Sequence, residues 1–567
     1  MATTQRPSAF LLLVVLLAAS LFAGIGMRDP QPADEPRFVL AADHMVASGD
    51  WLFPHRGNEL YADKPPMFMW LLAAGQRLTG DWRWSFLLPS WVAALLTLWF
   101  AHDLASRLWN REAGRTAALA LFACLQFGLQ AKRAQIDMVL VAMTTASLWA
   151  LVQYLLVRRA WWLLALGTFA AGLGTVTKGV GFLPLLVFLP SLVSRARPGL
   201  PRAPAGERAR HLIAGFGGLV VGLGIWLVPM LWAVATSADP ALPAYATEIL
   251  WGQTGTRYAT PSHHIKPAWY YLQVAATLWL PGSLLLPWLI PAWWRRLRRS
   301  DPRWVLLLGW AVLVLAFFTV SPGKRDVYIL PVLPALCIAA APLLPGLLRR
   351  LAVQRVLAAW LAVVALASVG VGLSALAGEG RWLQAAAARH GVDAAAVAQG
   401  GLWMLALGAM VVGCLAWASA TRLRHIGVAT VVAMAAVWTV YGVGLMPAVD
   451  ADSSGRAIMR EARRRVGADG ELALLAWREQ HLLQAGAGAA EFGFKRAWHA
   501  QWRDAGPWLQ ADPSRRWLFV LEDALDPCVD RQRAHRLGVS SRRTWWLVPG
   551  TAVRPGCGRP PPSRAPD

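Results

Sequence analysis

Charge is scarce in this chain. Asp, Glu, Lys and Arg make up 15% of its 567 residues, where soluble domains carry about 25%, and that shortfall excludes an ordinary soluble globular protein. Cysteine is scarcer still, with five in all. No CxxC pair, zinc-finger spacing, P-loop or GxGxxG stands out, so neither a zinc module nor a Gly-rich phosphate cradle is written into the sequence. Internal repeats are lacking too, and the interiors of the apolar runs are clear of ionisable groups. A secondary transporter would place its charges near the middle of broken helices and often show repeated halves.

What the chain has instead is apolar length: 56% of it is hydrophobic and its mean hydropathy is +0.42. Runs of roughly 15 to 25 residues, enough to cross ~30 Å of hydrocarbon, recur up to residue 446. They predict an α-helical polytopic membrane protein of about thirteen transmembrane helices, with limits near 10–27, 84–102, 116–130, 138–157, 161–176, 180–194, 212–234, 269–294, 304–320, 327–345, 356–376, 400–419 and 426–446. The first run has the look of a secretory signal, but a signal gives way to a soluble mature chain. The spans that follow make it a retained helix.

The net charge of +23 reports topology and gives no reason to expect a nucleic acid. With the N-terminus in the cytoplasm, alternate loops carry Arg107, Arg111 and Arg115; Arg158 and Arg159; the five arginines from Arg195 to Arg210; the four from Arg295 to Arg299; Arg349, Arg350 and Arg355; and Arg422 and Arg424. That is the positive-inside pattern, loop after loop. An odd number of spans then puts residues 447–567 on the outer side of the membrane. Composition breaks there: "ELALLAW", "RRWLFVLED" and "TWWLVPG" have strand length and alternate with Arg-rich helical stretches, which predicts a small extracytoplasmic α/β domain. The Pro- and Arg-rich tail after Pro549 reads as disordered. Cys124, Cys337 and Cys414 fall inside spans as core residues. Cys528 and Cys557 are the only two in the outer domain, where a disulfide is permitted; paired and unpaired states both stay open.

In this topology the ionisable groups missing from the spans gather in the outer loops. The first, 28–83, holds "DEPRFVLAADHMVASGDWLFP" and "YADKPPMFMW". Phe38, Ala41, Ala42 and Met45 share one helical stripe, as expected of a helix lying along the membrane surface, and Pro65 and Pro66 start a second. "AKRAQIDM" (131–138), "TKG" (177–179), "GTRYATPSHHIKPAWYY" (255–271) and "SPGKRDVYILP" (321–331) lie on the same side. Charges at such depths are costly unless they face a cavity or a partner. Together they describe one outward-facing polar cavity for a substrate with a polar head and a tail in lipid. Cations such as Lys64, Lys178, Arg257 and Lys324 suit a phosphate, and carboxylates such as Asp34 and Asp137 suit a base or a sugar-hydroxyl ligand.

These stretches resemble the GT-C glycosyltransferases, with the lipid A aminoarabinose transferases nearest and the protein O-mannosyltransferases more distant. The likeness extends over the whole membrane part, and the DExR…DKPP pair is its most specific element. It implies inverting transfer of a sugar from a polyprenyl-phosphate carrier, without a nucleotide-sugar donor and with no catalytic cofactor. By the same resemblance, Asp34 and Asp137 are the cavity carboxylates, with Glu35 beside them, and Lys64 and Arg257 hold the carrier's phosphate. Arg37, one helical turn from Asp34, orients it. Asp63 and His264 match the positions at which some relatives hold a structural divalent ion such as zinc, although Asp63 is one methylene shorter than the usual Glu.

Each position also has a plainer reading: Asp34 as a helix cap, Asp137 paired with Lys132 or Arg133, Lys64 snorkelling to headgroups with Lys178 and Lys324 open to the same reading, and His263 and His264 as hydrogen-bonded loop residues. The expected function is a membrane glycosyltransferase acting on an envelope lipid, glycan or protein among membrane lipids, with no nucleic-acid partner. The alternatives are a lipid-diphosphate-dependent glycan ligase or polymerase, and a flippase or transporter of lipid-linked sugar.

Overall fold

A computed structural model describes residues 7–194, 201, 205–256, 265–378, 380–486 and 488–558. Among them, seven helices are long and apolar enough to cross a membrane: Trp82–Leu108, Ile136–Leu156, Arg208–Thr236, Pro302–Val320, Leu351–Ala377, Ala394–Ala420 and Ile426–Ala448. Tyr270–Leu278 and Gly282–Arg298 form an eighth candidate, bent by 103°. Shorter apolar helices cover Leu11–Phe22, Trp161–Thr177 and Leu183–Val193. The protein is thus a multi-pass helical membrane protein. Every expected span contains helix, but several are interrupted. One interruption falls at Cys124, between Arg111–Ala123 and Leu125–Ala131. Another falls at Pro281, which lacks an N–H and cannot continue a helix. The two breaks meet: Leu125 donates to the Leu280 carbonyl at 2.9 Å, and Trp279 Nε1 donates to Gln126 Oε1 at 2.7 Å. Backbone groups freed inside an apolar medium are satisfied by protein, as they must be.

Helix α1, Pro7–Phe22, runs into a close crossing with the last membrane helix. A Cβ built on Gly24 would sit 2.2 Å from the Gly442 carbonyl oxygen, and Gly24 has φ +93°, so glycine alone fits there. The chain then enters the long polar loop. Helix α2 spans Glu35–Ser48, with Pro36 in its first turn and left-handed Gly49 as its C-cap; helix α3, Met67–Thr79, ends on left-handed Gly80. These caps follow the usual asymmetry of Pro inside the start and Gly past the end. The predicted apolar stripe of α2 is buried at Phe38, Ala41, Ala42 and Met45, but in protein: Phe38 meets Phe68 of α3 edge to face at 5.3 Å. Between the two helices, β1 (His55–Arg56) and β2 (Glu59–Leu60) form a small antiparallel hairpin.

Helix α4 is Ile136–Leu156 and α5 is Trp161–Thr177. The C-terminal part holds a five-stranded sheet of β3 (Glu471–Leu475), β4 (Ala490–Glu491), β5 (Arg516–Leu521), β6 (His535–Ser540) and β7 (Arg543–Pro549), in the order β4-β3-β5-β7-β6. β3 pairs in parallel with both neighbours, and β7 is antiparallel to β5 and β6. The three predicted strands are β3, β5 and β7; β4 has two residues and β6 has only Leu537 and Val539 as apolar positions, too little pattern for either to be noticed. Helix α6, Glu479–Ala485, follows β3. The expectation of disorder after Pro549 needs correction for residues 550–558. There a short helical turn, a bridge between Val529 and Val553, and a Cys528–Cys557 disulfide tie the chain back to the sheet.

This α/β unit sits on the polar loop. Leu40 of α2 is part of its core. Asn58 N–H donates to Glu491 Oε1 at 2.7 Å, Lys495 N–H donates to Glu59 Oε2 at 3.0 Å, and the Arg56 guanidinium lies 3.7 Å above the Phe494 ring. A second anchor joins the two ends of the membrane part. Asp29 pairs with Arg83 at 2.7 Å and with Arg456 at 3.1 Å, while Asp450 pairs with Arg456 at 2.7 Å. Alternating charges of this kind compensate one another where single ones would be costly to bury.

Candidate active site

Asp34 occupies the N-cap position of α2 yet makes no side-chain cap bond, so a capping role does not account for it. Its carboxylate turns away from the helix amides. Oδ2 accepts from Gln135 Nε2 and from Arg325 NH2, each at 3.1 Å, and Oδ1 lies 3.5 Å from Arg37 NH1. The side chain keeps 14% exposure, which leaves it partly open to an incoming group. Burial works against the Arg325 charge, but Asp34 first and Asp137 after it outweigh that and hold the guanidinium above its ordinary pKa.

Glu35, one residue on, has the opposite surroundings. It is buried, and Arg28 grips both its oxygens, NH1 to Oε2 at 2.5 Å and NH2 to Oε1 at 2.8 Å. The backbone N–H groups of Gln31 and Ala134 donate to it at 2.9 and 3.0 Å. This bidentate, amide-saturated arrangement fixes the start of the first loop against the segment before α4. It is the anchor from which Asp34 is aimed.

Asp137, in the first turn of α4, pairs with Lys178 Nζ at 2.7 Å. Lys178 caps the end of α5 and stands 4.6 Å over the Tyr328 ring. The alternative partners stay away: Lys132 turns back to the Ala23 carbonyl, where burial, and then nearby Arg28, pulls its ammonium down to about 7. Arg133 is half-buried and has no side-chain hydrogen bond or ion pair among the described residues. Four loops therefore converge, bringing Asp34, Arg37, Gln135, Asp137, Lys178, Arg325 and Tyr328 together.

The remaining sequence candidates are distributed differently. Lys324 is buried, donating to the Ser321 carbonyl at 2.6 Å and the Lys266 carbonyl at 3.3 Å. The stretch is extended at Arg325, so neighbouring side chains point to opposite sides; Lys324 braces the loop and Arg325 faces Asp34. Lys64 is half-buried and donates to the Asp63 carbonyl at 2.7 Å. Ala62, two residues before it, shares an apolar cluster with Val176, two before Lys178. Arg257, His263 and His264 lie outside the described residues. The chain just beyond them is tied to the Arg325 loop, with Ile265 bridging Gly323 and Lys266 N–H donating to the Pro322 carbonyl at 3.2 Å. Arg325, Gln135 and Tyr328 were all in motifs already noticed, but no spacing rule separates Arg325 from Lys324.

One group outside this site has the residue types of a metal centre. Asp526, Cys528 and Cys557 bring their ligand atoms within 4.8 Å of one another. Both sulfurs are joined in the disulfide, so thiolate ligation is not available there while the bond stands.

Known proteins resemble this chain in sequence and in fold. A family described as dolichyl-phosphate-mannose-protein mannosyltransferase matches residues 63–201. An undecaprenyl phosphate-alpha-4-amino-4-deoxy-L-arabinose arabinosyl transferase of Pseudomonas aeruginosa (strain LESB58) is 35% identical over 312 residues, 53% of this chain and 53% of its own. A protein of the same description from Pseudomonas savastanoi pv. phaseolicola is 31% identical over 351 residues, 60% of this chain and 62% of its own. The chain spans about half the length of the curated relatives it matches. Among solved structures, ArnT from Cupriavidus metallidurans bound to undecaprenyl phosphate superposes with a TM-score of 0.72 at 20% identity, covering 97% of this chain and 99% of that one. The resemblance to the aminoarabinose transferases and the mannosyltransferases holds, and the fold is that of ArnT.

Proposed function

We propose that this protein is an integral membrane glycosyltransferase that moves a sugar from a polyprenyl-phosphate carrier to an acceptor of the bacterial envelope. The acceptor is a lipid A-like lipid, a glycan or a protein hydroxyl, and transfer takes place at the outer face of the inner membrane. About thirteen helices span the bilayer, with the N-terminus cytoplasmic and the C-terminal α/β unit periplasmic. The observation that carries this is Asp34: a carboxylate at a helix start that declines the helix amides and instead meets Arg325 and Gln135 beside the Asp137–Lys178 pair. The aminoarabinosyl transferases, by name, act with undecaprenyl phosphate, and one structure of this fold holds that lipid.

The chemistry follows from exchange of partners. Without substrate, Arg325 and Lys178 are occupied by the cavity's own carboxylates, Asp34 and Asp137. The sugar-linked carrier phosphate, a diester, offers two non-bridging acceptor oxygens and competes for Lys64, Lys178, Arg325 and Arg257 through charge-assisted bonds. As it does so, Asp34 loses cationic partners and becomes available to the acceptor. For a hydroxyl acceptor it takes the proton as attack proceeds at the anomeric carbon; for an anionic acceptor it steadies positive charge developing on the sugar. The leaving phosphate stays on its cations. No catalytic cofactor enters this scheme, and a divalent ion on Asp63 and His264 would be structural.

Mass spectrometry of lipid A, envelope glycans and envelope proteins from cells with and without the gene should reveal a sugar whose attachment depends on it. The purified protein should then transfer that sugar from its polyprenyl-phosphate donor. Identical profiles, together with gene-dependent movement of lipid-linked sugar across vesicles, would make it a flippase instead. Topology is tested separately. A reporter active only outside the cytoplasm should work when fused near residue 60 or after residue 446 and be silent near residues 203 and 300; the reverse pattern would put the cavity on the wrong side for this chemistry.

A further inference from the structure

Glu479 opens α6 of the C-terminal unit, far from the membrane loops in sequence, and no motif singles it out. It is nevertheless 6% exposed, and its partners are loop residues. Oε1 accepts from Arg37 Nε at 2.9 Å and lies 3.5 Å from Arg56 NH1. Arg37 turns its NH1 towards Asp34 Oδ1 at 3.5 Å. One guanidinium thus stands between the carboxylate of the proposed site and a carboxylate supplied by the C-terminal unit. A carboxylate at a helix start is often no more than a favourable charge for that helix, but this one spends its near oxygen on arginines of another part of the chain.

We propose that Glu479 is a positioning residue for sugar transfer: it holds and half-neutralises Arg37, so that Asp34 is oriented by that arginine without being captured by it. This rests on the glycosyltransferase reading above. The arginine fork is planar, and a carboxylate bound at Nε fixes the plane in which NH1 can be offered. The groups facing this line are few. Tyr61 and Arg56 flank Arg37 with Asp63 beyond Tyr61, Arg478 precedes Glu479, and Gln135, Arg325 and the Asp137–Lys178 pair face Asp34. Without the Glu479 charge, Arg37 and Arg56 lose their shared anion. The attraction of Arg37 then falls on Asp34, a contact tightens, and the carboxylate becomes less basic and harder for the acceptor to recruit. The C-terminal unit is then a working part of the site, and its docking sets how available Asp34 is.

The test compares four variants of the full-length, reconstituted protein by turnover, donor KM, melting temperature and the pH profile of turnover. Glu479→Gln should lower turnover about tenfold with donor KM within about twofold. Because an added positive field lowers a carboxylate's pKa, the acid limb of the profile should move down by about one unit. Glu479→Asp, which keeps the charge, should leave the acid limb where it is. Glu491→Gln weakens the same docking surface through Asn58, Trp477 and Gly493 without touching Arg37; it should lower the melting temperature and leave the limb unmoved. A Glu479→Gln protein that behaves like Glu491→Gln, less stable with an unmoved limb, overturns the positioning role. Asp34→Asn separates the two possible failures. If that variant is inactive, a normal Glu479→Gln overturns the positioning role alone; if it transfers normally, Asp34 is not the working carboxylate and the positioning role falls with it, while the glycosyltransferase reading then turns on Asp137→Asn.

Discussion

Asp34→Asn should leave the protein folded, inserted and able to bind donor while cutting transfer by roughly 10²- to 10⁴-fold, the range a positioned general base contributes. The substitution preserves shape and keeps an acceptor oxygen for Gln135 or Arg325, each 3.1 Å away. What it removes is charge. Folding depends little on that charge, because the Asp34 side chain makes no helix cap and keeps 14% exposure. The assay is single-turnover transfer from the polyprenyl-phosphate donor, with donor binding measured separately. Loss of binding and transfer together would mean that Asp34 shapes the cavity without acting in it. Normal transfer with an inactive Asp137→Asn would move the role to the carboxylate held by Lys178. If both variants worked, the protein would not be a glycosyltransferase of this kind.

Much of this architecture can be read from the sequence because membranes impose one-dimensional rules. Spans must be apolar and long enough, and cationic loops face the cytoplasm; these rules locate the helices but not their breaks at Cys124 and Pro281. The stripe on α2 is visible as period alone, and the sequence does not tell lipid from protein as its cover; Phe68 and the core of the membrane part supply the cover. Motif reading found the loops that converge, since ionisable residues beside apolar spans are conspicuous. It did not decide which of two adjacent residues faces inward. Lys324 and Arg325 differ by one position in an extended stretch, and only the partners, carbonyls for one and Asp34 for the other, distinguish them. Glu479 was beyond reach for a different reason. Its contact with Arg37 spans 442 residues, and nothing local to "WREQ" announces it.

The neighbouring carboxylates Asp34 and Glu35 look alike in sequence and should fail in opposite ways. Glu35→Gln replaces an oxygen that accepts hydrogen bonds with an amide that donates. Wherever that amide points, it opposes a donor, because Arg28 holds both oxygens and the N–H groups of Gln31 and Ala134 approach from the remaining directions. Arg28 would keep its charge at 3% exposure without the anion that balances it. Breaking a buried pair from one side costs about 3–5 kcal/mol, a large share of the roughly 5–15 kcal/mol that holds a folded domain. The expected result is a marked fall in melting temperature and in the amount of inserted protein, with the surviving fraction retaining much of its turnover per molecule. Removing both partners, as Arg28→Met with Glu35→Leu, should recover part of the stability, since apolar groups of similar volume replace a buried pair at little cost. Turnover in that double variant would still depend on Asp34. A Glu35→Gln protein that melted like the parent but had lost turnover would reverse the assignment, making Glu35 the working carboxylate and Asp34 its support.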